Sequence, residues 1–488
     1  MSTRLVVIGG VAAGMSAAAR ARRHNPDLDV TVFERSGYAS YSACGLPFFV
    51  KGDVADVASL IARTPERFAA DGIRVCLRHE ALAIDPGAHT VTVRDLRDGA
   101  QRTTPYDRLI LAAGAQATRP AVPGASLPGV FTLRTVEDAE AIRAWITERR
   151  PQNAVVVGAG YVGIELAEAL HARGLAVTLI EGQGQVLPAL DPDLAVAVQL
   201  RLEELGIQVR LHTLLTSFVG ARLIEDVTTR VLGRLADAAG ELGGETLRVR
   251  GETLRVREVV THNGSLPADL VLLGGGARPA IELARAAGIA LGATGAVAVD
   301  DQQRTNLPDI WAAGAVGETH HRLLKRPIYF PLARAATLQG RVAGVNAATA
   351  DWSTGGPARF AGTLGTSVVK AFGLTVAMTG LTLRQATAAG LVADQTTVTS
   401  TSRAGFMPGS ERIQTRLVFE KGSGRLLGAQ MIGGDEVAKR LDVVAIALQA
   451  GWTAEELAAA DLTYTPPVAP LWDGALAAAT LIARHIQR

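Results

Sequence analysis

Short hydrophobic runs that end in glycine-rich turns are the main pattern in the first part of the chain. Residues 5–8 form such a run, and a turn with Gly9 and Gly14 leads into an alanine-rich segment that reaches about residue 23. This order predicts a strand, a turn and a helix. A second predicted strand follows and ends at Glu34.

The same pattern returns in the middle of the chain. Residues 154–157 are apolar, a glycine turn and a helical segment follow, and the next predicted strand ends at Glu181. The glycines of this second turn are Gly158, Gly160 and Gly163. Such glycines let the backbone approach a pyrophosphate, the helix N-terminus receives its charge, and the acidic residue binds ribose hydroxyls.

The two units differ in strength. The second turn carries the full glycine spacing, whereas Val11 replaces the middle glycine of the first turn. Each unit alone could be an ordinary strand–turn–helix connection, but two of them predict two dinucleotide sites much more strongly than either does. Two further strand ends, residues 109–115 and 309–316, carry small residues that allow close approach of a ligand or of another backbone. Plain packing of strand on helix is the alternative.

The pattern changes after residue 350. Residues 351–357 are predicted to be a linker, and the segment beyond it is predicted to be a separate α+β domain. Its predicted strands and helix are residues 367–371, 414–420, 426–432 and 436–449. A tandem repeat, residues 244–250 and 251–257, is too short for a solenoid, and we interpret it as a longer surface hairpin.

Composition narrows the class of protein. The 488 residues suggest two to four domains, and 48% hydrophobic with 20% charged residues allows a sizeable core. A net charge of +2 gives no reason to propose nucleic acid or a membrane surface as a partner. The two cysteines imply no disulfide framework, and the N-terminus lacks the layout of a signal peptide, so we expect a soluble cytoplasmic protein.

Cys44 is the main candidate for chemistry. It follows the first glycine turn and lies among small polar residues, Gly45 and Pro47, which favours an exposed turn. If a helix begins near Pro47, its positive end is expected to lower the pKa of the Cys44 thiol. A buried structural cysteine is the alternative. Cys76 lies in a strand-like segment and is predicted to be core.

On these motifs the chain resembles the FAD-dependent pyridine nucleotide-disulfide oxidoreductases. Within them it resembles the single-cysteine branch, which holds coenzyme A disulfide reductases, NADH oxidases, NADH peroxidases and persulfide reductases; the segment from Ser40 to Cys44 corresponds to their cysteine motif. The resemblance implies an α/β fold with two Rossmann-like domains, for FAD and NAD(P)H, and a C-terminal α+β dimerisation domain. The implied boundaries are 1–118 with 292–350 for FAD, 119–291 for NAD(P)H and 358–488 for dimerisation.

The resemblance also implies a mechanism. Hydride passes from the nicotinamide to the flavin, and the electrons reach a mixed disulfide on Cys44, which coenzyme A can form as substrate or resting adduct. In an oxidase the cysteine would instead cycle through a sulfenic acid. Tyr464 is expected to reach the flavin and thiol of the partner in a homodimer, and Tyr161 to gate access of the nicotinamide.

Further roles follow from the resemblance by position. The implied FAD contacts include Gly9, Gly14, Glu34, Ala113, Gly114 and Ala315. The implied nucleotide contacts are Gly158, Gly160, Tyr161, Gly163 and Glu181. The implied coenzyme A contacts are Ser16, Arg20, Arg23 and Ser40, of which the arginines would suit phosphates. A solvated helix face is the alternative for those arginines.

Several positions depart from the family pattern. The first turn has no histidine, which argues against a peroxidase, and Phe406 with Met407 replaces a second expected tyrosine. Ala315 stands where relatives carry an aspartate that binds the ribityl chain. Losing a charged hydrogen bond costs roughly 1.5–3 kcal/mol, or about one to two decades of affinity, so weaker FAD binding is expected.

The remaining expectations concern the nucleotide, metals and function. Glu181 lacks a neighbouring arginine, so NADH is expected over NADPH. The nine histidines show no ligand spacing, and no metal site is proposed. The leading hypothesis is an NAD(P)H-dependent reductase of coenzyme A disulfide or a related small disulfide or persulfide. The alternatives are an NADH oxidase that uses oxygen and a flavin-poor redox sensor or binding protein.

Overall fold

The structure, a computed structural model, describes residues 2–223, 253–349 and 357–486. The helices are α1 Ala12–His24, α2 Leu46–Lys51, α3 Pro65–Ala70, α4 Val136–Arg149, α5 Tyr161–Ala172, α6 Pro192–Glu204, α7 Glu282–Ala286, α8 Ala333–Ala348, α9 Leu383–Ala388, α10 Val437–Ala450, α11 Ala454–Ala458 and α12 Gly474–Ile486. The first strands are β1 Arg4–Ile8, β2 Asp29–Glu34, β3 Ile73–Leu77, β4 His79–Asp85, β5 Thr90–Asp95, β6 Gln101–Pro105, β7 Arg108–Leu111, β8 Ala115–Ala117, β9 Val130–Thr132, β10 Asn153–Val157, β11 Ala176–Ile180 and β12 Gln208–Arg210. The later strands are β13 Leu215–Leu223, β14 Thr253–Thr261, β15 Gly264–Pro267, β16 Leu270–Leu273, β17 Ala277–Pro279, β18 Ile310–Ala312, β19 Thr319–His321, β20 Arg326–Ile328, β21 Ser367–Ala371, β22 Leu374–Gly380, β23 Ala393–Thr401, β24 Arg412–Glu420 and β25 Leu426–Gly433.

The N-terminal sheet is parallel and has the strand order β18-β7-β1-β2-β3. The edge strand β18 comes from a part of the chain that lies far beyond the other four strands in sequence. Helices α1 and α8 cover one side and approach closely, because Gly340 and Gly344 meet the α1 backbone: a Cβ at either glycine would lie 2.2 Å from a carbonyl oxygen. The alanine-rich sequence of α1 is therefore explained by close helix packing.

A second parallel sheet has the order β12-β11-β10-β16-β9. In the sequence, its strands all fall between β7 and β18 of the first sheet. In both sheets the strand before the glycine turn, β1 or β10, is the central one. Ligands of open α/β sheets bind outside the carboxyl ends of such strands, where the strand order reverses. Both glycine turns lie at that place.

Antiparallel strands form smaller sheets beside the two parallel ones. Strands β4, β5 and β6 form one, and β13, β14 and β15 form another. The first copy of the tandem repeat, residues 244–250, lies outside the described residues, and most of the second copy lies in β14. The predicted linker lies outside them as well, apart from its last residue.

The C-terminal segment forms a five-stranded antiparallel sheet of order β21-β22-β25-β24-β23. Helices α10 and α12 pack on it through buried residues such as Leu441, Val444 and Ile482. The strands and the helix predicted from sequence differ from these elements by only one or two residues at their ends. In the described parts of the chain, no helix is both long and apolar enough to cross a bilayer.

Candidate active site

The two glycine turns have the same backbone geometry. Gly9 and Gly158 have positive φ angles of 104° and 102°, which residues with a side chain rarely adopt. A Cβ on Gly14 would lie 1.8 Å from the Gly9 carbonyl oxygen, and Gly163 stands in the same relation to Gly158. These four glycines are therefore required by the backbone itself.

The middle position of each turn, in contrast to these four, does not require glycine. Val11 has a φ of −109° and Gly160 a φ of −75°, so neither position needs a glycine for its backbone. A Cβ on Gly160 would meet no atom within 4 Å. The missing glycine that weakens the sequence pattern of the first unit thus leaves its turn geometry intact.

The two acidic residues at the strand ends also make equivalent contacts. Glu34 accepts hydrogen bonds from the amides of Gly10, at 2.6 Å, and Ser36, at 2.8 Å. Glu181 accepts them from Ala159, at 2.8 Å, and Gln183, at 2.9 Å. Each carboxylate therefore ties the strand end to its glycine turn, a role that the sequence pattern does not show.

A cavity of about 350 Å³ opens beside the first turn. Its lining includes Gly9, Glu34, Arg35, Ala113 and His79. Gly114 follows with a positive φ of 73°, and its carbonyl accepts the Ala280 amide at 3.1 Å. A strand end, a glycine turn, an acidic residue and apolar walls fit the adenosine side of FAD.

Cys44 lies in the single helical turn Ala43–Gly45, and α2 begins directly after it with Pro47 in its first turn. The thiol-bearing residue is exposed, as the sequence predicted. The expected lowering of its pKa is wrong: desolvation raises the pKa of the Cys44 thiol, the charge of Glu165 raises it further, and Arg134 acts in the opposite sense. Although the residue as a whole is exposed, surrounding groups remove water from its sulfur, and this desolvation is the largest cause of the shift.

Glu165 was missed by the sequence analysis. It lies one turn after Tyr161 on α5, which packs against α2, and burial with the Glu168 charge raises the pKa of Glu165 to about 7. Lys51 at the end of α2 pairs with Glu168, with 3.5 Å between Nζ and Oε1. The four-residue spacing from Tyr161, directly after a glycine turn, could have placed Glu165 on the same face.

Arg134 was missed as well. It precedes α4, and its Nε donates to the Ala115 carbonyl at 3.2 Å, which holds the guanidinium beside the start of β8. The same charge acts on the pKa values of Cys44 and Tyr329. Nothing in the local sequence pattern of Arg134 indicates this placement.

Ala315 lies in the turn after β18. Its carbonyl accepts a hydrogen bond from the Tyr329 hydroxyl at 3.1 Å, and the preceding Gly314 donates its amide to Gln339 at 3.1 Å. Two side chains thus hold this turn, although the methyl group of Ala315 offers no polar atom to a ligand.

The predicted coenzyme A contacts lie in different surroundings. Arg20 lines a cavity of about 370 Å³ together with Arg322, Arg341 and Arg359. Arg23 is exposed, and its Nε donates to the Ala19 carbonyl on its own helix. Two serines complete this group. Ser16 is half-buried on α1, and Ser40 donates its amide to the Gly10 carbonyl at 2.8 Å.

Tyr464 lies on the surface of the C-terminal domain and is 48% exposed. The loop that carries Phe406 packs beside the Tyr464 segment, because the Ala404 amide donates to the Pro466 carbonyl at 3.0 Å. Other exposed apolar side chains of this region are Val468, Leu471 and Trp472. Among the residues that the structure describes, no group of three or more His, Cys, Asp or Glu could hold a metal ion.

Comparisons with known proteins agree with this geometry. A coenzyme A polysulfide/persulfide reductase of Pyrococcus horikoshii that uses NAD(P)H is 34% identical over 475 residues, 97% of each chain. An NADH oxidase of Methanocaldococcus jannaschii is 33% identical over 95% of each chain. The solved structure of an NAD-dependent persulfide reductase from A. fulgidus matches with a TM-score of 0.87 and 35% identity, covering 99% of this chain and 84% of that one.

Family models cover both parts of the molecule. Residues 3–340 match the pyridine nucleotide-disulphide oxidoreductase model, and residues 366–475 match the dimerisation domain of the same enzymes. The predicted fold class, an α/β protein with two dinucleotide units and a C-terminal dimerisation domain, is confirmed, and the family implies FAD and NAD(P)H as cofactors. The chain therefore belongs to the pyridine nucleotide-disulphide oxidoreductases.

Proposed function

We propose that this protein is an NADH-dependent flavoprotein that reduces coenzyme A disulfide or persulfide through Cys44. The observation that carries the proposal is the position of Cys44: it is exposed on a turn of the first nucleotide unit, and the helix that follows packs on α5 of the second unit. A single thiol at the junction of two nucleotide units suits a relay from nicotinamide to sulfur.

FAD, when bound, supplies the two-electron transfer between the nicotinamide and this sulfur. The residues of the chain do the rest. The Cys44 thiolate attacks one sulfur of the substrate, the substrate S–S bond breaks, and the first thiolate leaves as the mixed disulfide with Cys44 forms. Two electrons from NADH then cleave the mixed disulfide, a proton goes to the departing thiolate, and the Cys44 thiolate is restored.

The arginine-lined cavity supports coenzyme A as the thiol carrier. Arg20, Arg322, Arg341 and Arg359 line one cavity of about 370 Å³, and of these Arg359 also pairs with Asp301 at 2.7 Å. Guanidinium groups bind phosphates by paired, charge-assisted hydrogen bonds. We include Ser16, Arg23 and Ser40 as further coenzyme A contacts because the family resemblance implies them.

The second unit supports NADH as the electron donor. Glu181 carries its charge at the end of β11, where the ribose of a nucleotide is expected, and a carboxylate there repels a 2′-phosphate. Tyr161 begins α5 directly after Gly160, and we assign it to the approach of the nicotinamide. We also propose a homodimer in which Tyr464 and its exposed apolar neighbours meet the partner.

Mass spectrometry of the intact, purified protein tests the proposal. A mass increase equal to one coenzyme A, absent after dithiothreitol and absent in Cys44→Ser but kept in Cys76→Ser, is expected. An unmodified Cys44 that also fails to react with added coenzyme A disulfide would contradict it. Oxygen consumption with NADH, without any turnover of disulfide or persulfide, would instead support the NADH oxidase function that the Methanocaldococcus jannaschii relative carries in its name.

A further inference from the structure

A hydrogen bond joins the second nucleotide unit to the C-terminal domain. The Tyr161 hydroxyl lies 2.9 Å from the Ser367 Oγ atom, and the two residues are 206 positions apart in the chain. Tyr161 is the first residue of α5 and Ser367 the first residue of β21. The bond is partly buried: Ser367 is only 9% exposed, and Tyr161 is half-buried.

The Tyr161 ring packs where three parts of the molecule meet. It lies against a hydrophobic cluster that contains Leu46 and Phe49 of α2, the helix that follows Cys44, and Val369 of β21. Burial raises the pKa of the Tyr161 hydroxyl, so the phenol is neutral where it forms the hydrogen bond with Ser367. Helix α5 packs against α2, which begins directly after Cys44, and the charge of Glu165, one turn further along α5, also raises the pKa of the Cys44 thiol.

Strand β21 is a firm support for Ser367. Beside it, the Thr366 and Thr379 hydroxyls lie 2.7 Å apart. Beyond the other end of the strand, the Phe372 amide donates to Glu168 Oε1 at 2.8 Å, and Arg201 donates to the Phe372 carbonyl at 3.2 Å. Because both ends of the strand are tied, Ser367 presents its hydroxyl from a fixed position.

We propose that Ser367 is a positioning residue for the nicotinamide site: it holds the Tyr161 ring closed over that site, so that the C-terminal domain sets how readily the ring moves aside for NADH. The inference rests on the proposed function, because it assumes that NADH enters at Tyr161. Because moving the ring breaks the hydrogen bond, the state that can bind NADH is only partly populated in the free enzyme. The apparent affinity for NADH is lowered by that fraction.

The test uses Ser367→Ala, Tyr161→Phe and the double variant in the purified holoenzyme. Thr375→Val is the matched control: it removes a buried hydroxyl from the adjacent strand β22 that has no hydrogen-bond partner in the described part of the chain. Ser367→Ala should lower the KM for NADH roughly two- to tenfold, the range that one hydrogen bond allows, with kcat for disulfide reduction unchanged. The double variant should equal a single one, because both changes remove the same bond.

A second readout does not depend on activity. With 3-fluorotyrosine in place of the six tyrosines, Tyr161→Phe identifies the Tyr161 resonance. Ser367→Ala should shift that resonance, and Thr375→Val should not. An unshifted resonance, a KM equal to wild type in Ser367→Ala, or additive effects in the double variant would overturn the inference. Absence of disulfide turnover in every form, with the resonance shift present, would instead count against the proposed function.

Discussion

The Tyr329 hydroxyl donates a hydrogen bond to the backbone carbonyl of Ala315 at 3.1 Å. This contact, with the bond from the Gly314 amide to Gln339, fixes the turn after β18 without using the side chain at position 315. The turn is therefore held independently of the side chain at position 315, where we expect relatives to carry a ribityl-binding carboxylate.

We predict that Ala315→Asp tightens FAD binding. A charged acceptor for a ribityl hydroxyl contributes roughly 1.5–3 kcal/mol, so the dissociation constant should fall by about one to two decades. Titration of apoprotein with FAD, followed by flavin fluorescence, measures it. Ala389→Asp adds the same charge at an exposed position after α9 and should leave the constant unchanged. Equal constants for Ala315→Asp and wild type would show that this position does not contact the cofactor.

A second prediction concerns the charge of Glu165. Because that charge raises the pKa of the Cys44 thiol, Glu165→Gln should lower the pKa and speed alkylation of Cys44 by iodoacetamide several-fold. The pKa of Glu165 is about 7, so below that pH the carboxyl is neutral and the two proteins should react alike; the difference should grow above it. Glu204→Gln, at an exposed position of α6, is the control. Overlapping rate–pH profiles would disprove the coupling.

A third prediction concerns the buried Arg416, which joins the second nucleotide unit to the C-terminal sheet. Its guanidinium lies 2.9 Å from Asp191 and 2.8 Å from Asp193, and it is only 4% exposed. Arg416→Ala leaves the buried Asp191 uncompensated and should destabilise the fold by about 3–5 kcal/mol. Urea unfolding measures the loss. Arg412→Ala, exposed on the same strand, should cost less than about 0.5 kcal/mol, and similar losses in both variants would refute the argument.

A fourth prediction is a preference for NADH over NADPH in kcat/KM. The Glu181 carboxylate is held by the amides of Ala159 and Gln183, so it cannot easily turn away from a 2′-phosphate. Like charges in contact cost several kcal/mol, so Glu181→Ser should narrow the preference by roughly tenfold or more. Glu203→Ser, exposed on α6 of the same unit, should not change it. A wild-type advantage for NADPH would reverse the assignment.

Local spacing in the sequence was enough to predict both glycine turns. Gly9 and Gly158 are needed by positive φ angles, and Gly14 and Gly163 by contact with a backbone oxygen, so the chain must show these glycines wherever such a turn exists. Three of the five C-terminal strands, β21, β24 and β25, were predicted from strand-like apolar runs, whereas β22 and β23 were missed.

The surroundings of Cys44 were not predictable in this way. Glu165 and Arg134 act on its pKa because separate segments pack together, and no pattern within one segment reports that packing. The direction of the pKa shift was wrong because a helix N-terminus can be inferred from Pro47, whereas desolvation of the sulfur by other segments cannot. The bond between Tyr161 and Ser367 is a relation between two domains and has no local signal either.

Replacement of Cys44 by serine tests the central claim most directly. A serine hydroxyl cannot form a mixed disulfide, so Cys44→Ser should bring NADH-dependent reduction of coenzyme A disulfide and persulfide to background, while NADH still bleaches the bound flavin. Cys76→Ser, in the partly buried strand β3, should leave both steps nearly unchanged. Wild-type rates of disulfide and persulfide reduction in Cys44→Ser would contradict the account.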